Sequence, residues 1–322
     1  MLASSSAGAL VQLALDRLKC NQKELAGRLQ VSPTQISKWK RGEHMSDDME
    51  KKLRTIAQID EDAIPTFVLL AGSPEAAGKW ERLIDYLATL ANDSAETGYD
   101  SPPLTDELPL LCVSTFETLR EMGVEIPPFP EELDVDYDEA PDEFFELLYE
   151  NPHVRLIRNI YGSFTDVYGF YAAYVSEVVF DEELDLMSGV GAEIDCLLLK
   201  LAAAKLEEDE VLPLAPKFRE FRYRVESMYE KWLNIAKERA FRAGVPLRAE
   251  FLDLVHQSHD ELGREAEAAS LGFKDAQIHP DIYMNELLQG MRVIHQVLPA
   301  IMAKLGIDDF KLDTTELRVN RN

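Results

Sequence analysis

The sequence predicts an all-α protein. Apolar residues recur at spacings of three and four through most of the chain. Few runs alternate with period two, and Gly and Pro fall mainly between the periodic segments. The predicted helices form an N-terminal group of five followed by a larger bundle, and no repeat of fixed period points to a solenoid.

The N-terminal helices are predicted over residues 8–19, 22–29, 33–41, 46–58 and 61–71. Each is too short to stand alone, so their apolar stripes must pack on one another. These stripes are Leu10, Leu13 and Leu18 in the first helix, Leu25, Ala26 and Leu29 in the second, and Met49, Leu53 and Ile56 in the fourth. Pro74 opens a further helix whose Trp80, Leu83, Ile84, Leu87 and Leu90 share one face. Residues 92–109, rich in Asp, Ser, Thr, Gly and Pro, read as a linker. Helices are then predicted over 105–122, 141–150, 153–182, 191–207, 217–243, 247–270 and 280–304. The expected division is therefore a first domain at 1–72, a connecting helix and linker at 73–104, and an acidic helical domain at 105–322.

A chain of 322 residues with 46% hydrophobic content can bury a core in each of about two domains. No stretch of ~18 residues is apolar throughout, and Met1 to Leu10 carries no basic region ahead of an apolar one, so a soluble cytoplasmic protein is expected. Cys20, Cys112 and Cys196 are too scattered for a disulfide framework or a metal knuckle and are expected to be free thiols. The net charge of −26 argues against a polyanionic partner until its distribution is considered. Residues 1–60 hold 10 Lys or Arg against 7 Asp or Glu, or +3; the remaining 262 hold 23 against 52, or −29. Only the N-terminal segment can approach a polyanion cheaply, and the acidic remainder should project away from it.

That segment carries a helix-turn-helix pattern. Asn21 to Ala26 begins one helix, and Ser32-Pro33-Thr34-Gln35 begins the next after a turn at Gln30 and Val31. Ser32 is a good N-cap, Pro33 suits the first helical position, and Gln35 completes an S-x-x-Q capping box. Ile36 and Trp39 are placed to face Leu25 and Leu29, leaving Thr34, Gln35, Lys38 and Arg41 on the outer face. Gln can pair with adenine, Lys with guanine, and the Thr methyl can touch thymine in the major groove. Gln22, Ser37 and Arg41 are placed to meet phosphates.

Gln22, Leu25-Ala26, Val31-Ser32, Ile36-Ser37 and Gly42 together resemble the signature of the Cro/CI-type, or XRE, family over residues 8–71. The resemblance implies a five-helix, lambda-repressor-like DNA-binding domain, usually dimeric on two half-sites and usually part of a transcriptional regulator. Lys40 replaces the family's common Glu, and Leu15 stands in place of its Arg partner, so both members of an ion pair are absent together. Gln30 occupies the usual turn glycine, at a cost of about 1 kcal/mol if it is left-handed.

The acidic half offers weaker signals. Glu131 to Glu139 concentrates negative charge but fails as a calcium loop, because Glu139 and Phe145 stand where Gly and Glu are needed. A solvated loop is the expectation, with a docking face for a basic partner as the alternative. His256 and His259 are three apart on one predicted helix, too sparse a pair to define a metal site. The histidines at 44, 153, 279 and 295 add no second pair. Gly189-Val190-Gly191 lacks the third glycine and the strand of a dinucleotide fingerprint, and no nucleophile elbow or HExxH motif occurs. No enzymatic activity, cofactor or resident metal is therefore expected. Tyr161, Phe164, Tyr168, Tyr171 and Val175 make a stripe read as bundle core, with a tyrosine-lined pocket as the alternative. Lys217, Arg219, Arg222 and Arg224 form a basic patch that either balances charge within the chain or meets the acidic loop of a second subunit.

The expected function is sequence-specific binding of double-stranded DNA by a homodimer, with residues 105–322 free to hold a protein partner or a small effector. The alternative is an antitoxin-like or phage-type interaction protein whose acidic domain sequesters a basic partner. A helical metalloenzyme using His256 and His259 is the remote third reading.

Overall fold

The computed structural model describes residues 6–95, 99–137, 142–182, 184–187, 193–243 and 282–307. All regular elements among them are helical. Residues 1–234 group as one compact unit and 235–322 as another.

The chain opens with α1 (Ser6–Leu18), α2 (Gln22–Leu29), α3 (Pro33–Lys40), α4 (Asp47–Ala57) and α5 (Pro65–Ala71). Helix α1 is the hub, packing on α3, α4 and α5 and more lightly on α2. Its Leu10, Val11 and Ala14 are fully buried, together with Leu25 of α2, Ile36 of α3 and Leu53 of α4. Each such aliphatic side chain contributes about 1.5–3 kcal/mol by leaving water, which is how five marginal helices stabilise one another.

Helix α6 (Pro74–Asp93) is capped by Ser73, whose hydroxyl accepts from the Ala76 amide at 3.1 Å. It is followed by α7 (Pro102–Thr105) and α8 (Leu108–Met122). The predicted linker at 92–109 is thus largely structured: Ser101 and Leu104 are fully buried, and the Asn92 side chain accepts from the Ser101 amide at 2.9 Å. Its polar residues satisfy a tight connection instead of spacing two domains. An aromatic cluster joins α5, α6 and α8. Phe67 and Trp80 both meet Phe116 edge-on at 5.0 and 5.4 Å, and Trp80 meets Phe129 at 5.2 Å. Each pair adds ~0.5–1.5 kcal/mol beyond burial.

Beyond a 3-10 turn at Glu131–Leu133 come α9 (Asp142–Glu150) and α10 (Pro152–Phe170), which runs into a π turn at Tyr171–Val175 and then α11 (Ser176–Val179). Helices α12 (Glu193–Ala204), α13 (Glu208–Val211) and α14 (Phe218–Ala243) follow. Helix α10 packs on α6 and α12. Tyr161 of α10 is fully buried and shares a 2.7 Å hydrogen bond with Thr115 of α8. The first half of the predicted tyrosine stripe is therefore core. Helix α15 (Ile282–Leu305) lies in the second unit and carries Pro299 in its interior.

The acidic run at 131–139 is engaged by α6 as far as it is described. Lys79 lies 2.8 Å from Glu131 and 3.0 Å from Asp134, and Arg82 lies 2.6 Å from Asp134. The run is solvated as expected, with Glu131, Glu132, Asp134 and Asp136 exposed, and Glu131 and Asp134 also meet cations of their own chain. The basic patch is likewise internal. Arg219 pairs with Glu208 at 2.5 Å, Arg224 with Glu121 at 2.8 Å, and Arg222 donates to the carbonyls of Ala204 and Leu206. Asp138, Glu139, Gly189-Val190-Gly191, the 247–270 helix and the pair His256 and His259 lie outside the described residues. Among the described residues no helix is long and apolar enough to cross a membrane.

Candidate nucleic-acid interface

Helix α2 begins at a full capping box. The Asn21 side chain accepts from the amides of Lys23 and Glu24, each at 3.0 Å, and Glu24 accepts from the Asn21 amide at 3.2 Å. Three of the amides that open the helix are thereby satisfied. Among the described residues the Gln22 N–H is the one without a partner there, and its side chain is half-buried. The capping box expected at Ser32 is half made: the Ser32 hydroxyl accepts from the Gln35 amide at 3.2 Å, while the reciprocal bond, from the Ser32 amide to the Gln35 side chain, does not form. The Gln35 carboxamide, half-buried, takes no part in the cap.

The turn between α2 and α3 is closed by Gln30 in the left-handed region at φ 56°, ψ 40°. The Val31 amide reaches the Ala26 carbonyl at 3.0 Å and the Gln30 amide the Gly27 carbonyl at 3.3 Å, the paired bonds of a Schellman motif. Helix α3 ends the same way at Gly42, whose φ of 91° suits glycine. Its amide bonds Trp39 at 2.9 Å, and the Glu43 amide bonds Lys38 at 3.1 Å.

Between these two ends, Ile36 and Trp39 are buried on the inner side, where α3 packs on α1 and α2. Thr34 and Arg41 are exposed, and Gln35, Ser37 and Lys38 are half-buried along the outer side. The structure thus gathers Thr34, Gln35, Ser37 and Lys38 on one short helix with Arg41 at its C-cap, and Gln22 at the start of the preceding one. Leu15 is buried and Lys40 exposed, so the absent ion pair leaves no charge stranded inside.

Sequence reasoning missed Glu43. Its carboxylate lies 3.5 Å from the Lys38 ammonium and 3.4 Å from the Arg41 guanidinium. The signal was available in the glycine: a left-handed Gly42 turns the chain back over the last turn of α3, which carries residue 43 beside its C-terminal cations. Glu43 thus holds two outer-face cations of its own chain in exposed ion pairs.

No family model, curated protein or solved structure matches the chain.

Proposed function

We propose that the chain is a sequence-specific DNA-binding regulator of the Cro/CI, or XRE, type, acting in the cytoplasm as a homodimer and reading the major groove with α3. The observation that carries this reading is the two-sided character of that helix. Ile36 and Trp39 anchor it, while Thr34, Gln35 and Lys38 present methyl, carboxamide and ammonium groups outward. Those three chemistries match the thymine, adenine and guanine edges of the groove. Gln22, Ser37 and Arg41 would fix the register on phosphates.

The dimer has its own support. On α15, Met291, Ile294, Leu298, Ile301 and Leu305 follow one another at spacings of three, four, three and four, and all five are exposed. That is the spacing a coiled-coil seam uses, and we read its partner as a second copy of the same helix. A lone reading helix contacts few bases, and two copies on a pseudo-palindrome supply the missing specificity. The rival reading, in which the acidic half sequesters a basic partner, has less to recommend it. Glu121, Glu131, Asp134 and Glu208 already pair with Lys or Arg of their own chain.

Fluorescence anisotropy of the full chain with a labelled random-sequence duplex pool tests the interface. Binding at low salt should weaken steeply as salt rises, and Arg41→Ala should flatten that slope by about one counterion. A slope unchanged in Arg41→Ala and in Lys38→Ala would contradict the assignment. Light scattering should give twice the chain mass, falling to one chain mass in Ile294→Glu.

A further inference from the structure

Tyr168 and Tyr171, in the middle of the tyrosine stripe, also line a cavity, while Val175 beyond them is fully buried. Where α10 passes into the π turn at Tyr171–Val175, the helix widens, and a half-open cavity of about 420 Å³ opens between the turn, α7 and α12. Widened turns of this kind recur where helices build ligand sites. The volume falls in the range of small-molecule pockets.

The walls are aromatic. Tyr168 and Tyr171 stand with ring centroids 5.9 Å apart, Tyr171 is 5% exposed, and Phe180 sits exposed beside them. Asp106, Glu107 and Asp195 supply the charge, and no Lys, Arg or His is among the described lining residues. The Asp195 carboxylate and Tyr171 line the same wall of the cavity. Burial first, and then that carboxylate, push the Tyr171 phenol up, so it stays neutral and keeps its donor. Several carboxylates of this unit meet cations of their own chain, as at Lys79 and Arg219. Here they face an opening.

We propose that this cavity binds an organic ammonium cation, held over the faces of Tyr168 and Tyr171 and neutralised by Asp195 and Asp106. Aromatic faces attract cations through their quadrupoles, and carboxylates at the mouth of the cavity add a Coulombic attraction. An anion would meet three like charges, and a neutral ligand would gain neither interaction. The proposal stands apart from the DNA reading, since the cavity shares no residue with α2 or α3.

Calorimetry of the full chain at pH 7.5 with benzylammonium, benzyl alcohol and benzoate isolates charge at nearly constant shape. Benzylammonium should bind at least about tenfold more tightly than the other two. Tyr168→Leu and Asp195→Asn should each weaken it about fivefold or more, with an unchanged circular dichroism spectrum. Should either variant fail to fold, Asp106→Asn at the exposed end of α7 takes its place with the same expectation. A blocked lysine amide carries the same ammonium on a peptide. Tighter binding of that probe identifies a protein lysine as the natural source, and tighter binding of benzylammonium a free amine. Equal affinity for benzyl alcohol, no binding at millimolar concentration, or full cation affinity in the folded variants would each overturn the proposal.

Discussion

The Glu43 carboxylate lies 3.5 Å from the Lys38 ammonium, so an acidic group guards the side chain proposed to read guanine. Both partners are nearly half exposed, which limits the pair to ~0.2–1 kcal/mol. On the proposed reading a duplex would have to displace Glu43 before Lys38 reached a base. Replacing Glu43 by Gln should therefore tighten duplex binding by roughly two- to fivefold. Anisotropy titrations at fixed low salt check this, and weaker binding by Glu43→Gln would assign the carboxylate a direct contact instead.

Backbone geometry gives two substitutions of opposite sign. Gln30 holds φ 56° with a side chain that disfavours it, so Gln30→Gly should stabilise the fold by up to about 1 kcal/mol. Gly123 closes α8 at φ 87°, and a Cβ there would lie 3.0 Å from Lys217 Cγ and 3.2 Å from its backbone nitrogen. Gly123→Ala should cost ~1–3 kcal/mol. Denaturant melts of the two variants should move in opposite directions.

These turns also mark what the sequence makes legible. The ends of α2 and α3 are written locally, in Asn21, Ser32, Pro33 and Gly42, and the inward placement of Ile36 and Trp39 follows from helical spacing alone. Three features depend on distant partners and so escape a local reading. Ser101 and Leu104 are buried only because α6 and α8 close over the connection between them. Lys79 finds Glu131 and Asp134 across more than fifty residues of chain. Around the π turn at Tyr171 the stripe stays in the core at Val175 while Tyr168 and Tyr171 also line a cavity, and its spacing in sequence is that of an ordinary helix.

The Lys79, Asp134 and Arg82 cluster predicts a pH dependence. Hydrogen bonds from Lys79 and then Arg82 hold the Asp134 carboxyl below its ordinary 3.8. Its contribution is therefore complete above that value and lost as pH falls through the lowered one. Glu131 first, then Asp134, hold the Lys79 ammonium above its ordinary 10.5, so its contribution is complete below that value and lost as pH rises through the raised one. The difference in melting temperature between the native chain and Asp134→Asn should be flat from about pH 5 to 9 and shrink outside both limits. A difference that varies within that window would contradict the pairing.

Thiol reactivity separates two cysteines. Cys112 is fully buried, and burial, with Glu81 and Asp85 nearby, pushes its thiol well above the ordinary range. Cys196 is exposed on α12. Iodoacetamide followed by mass spectrometry should label Cys196 in the folded chain and Cys112 only after denaturation.

Selection of bound duplexes from a random pool, with Gln35→Ala and Lys38→Ala run in parallel, tests the central claim most directly. The account predicts a two-fold symmetric consensus with half-sites about one helical turn apart, and each substitution relaxing one position by ~1–3 kcal/mol. Recovery of no consensus, or of a consensus that both variants leave intact, would contradict it.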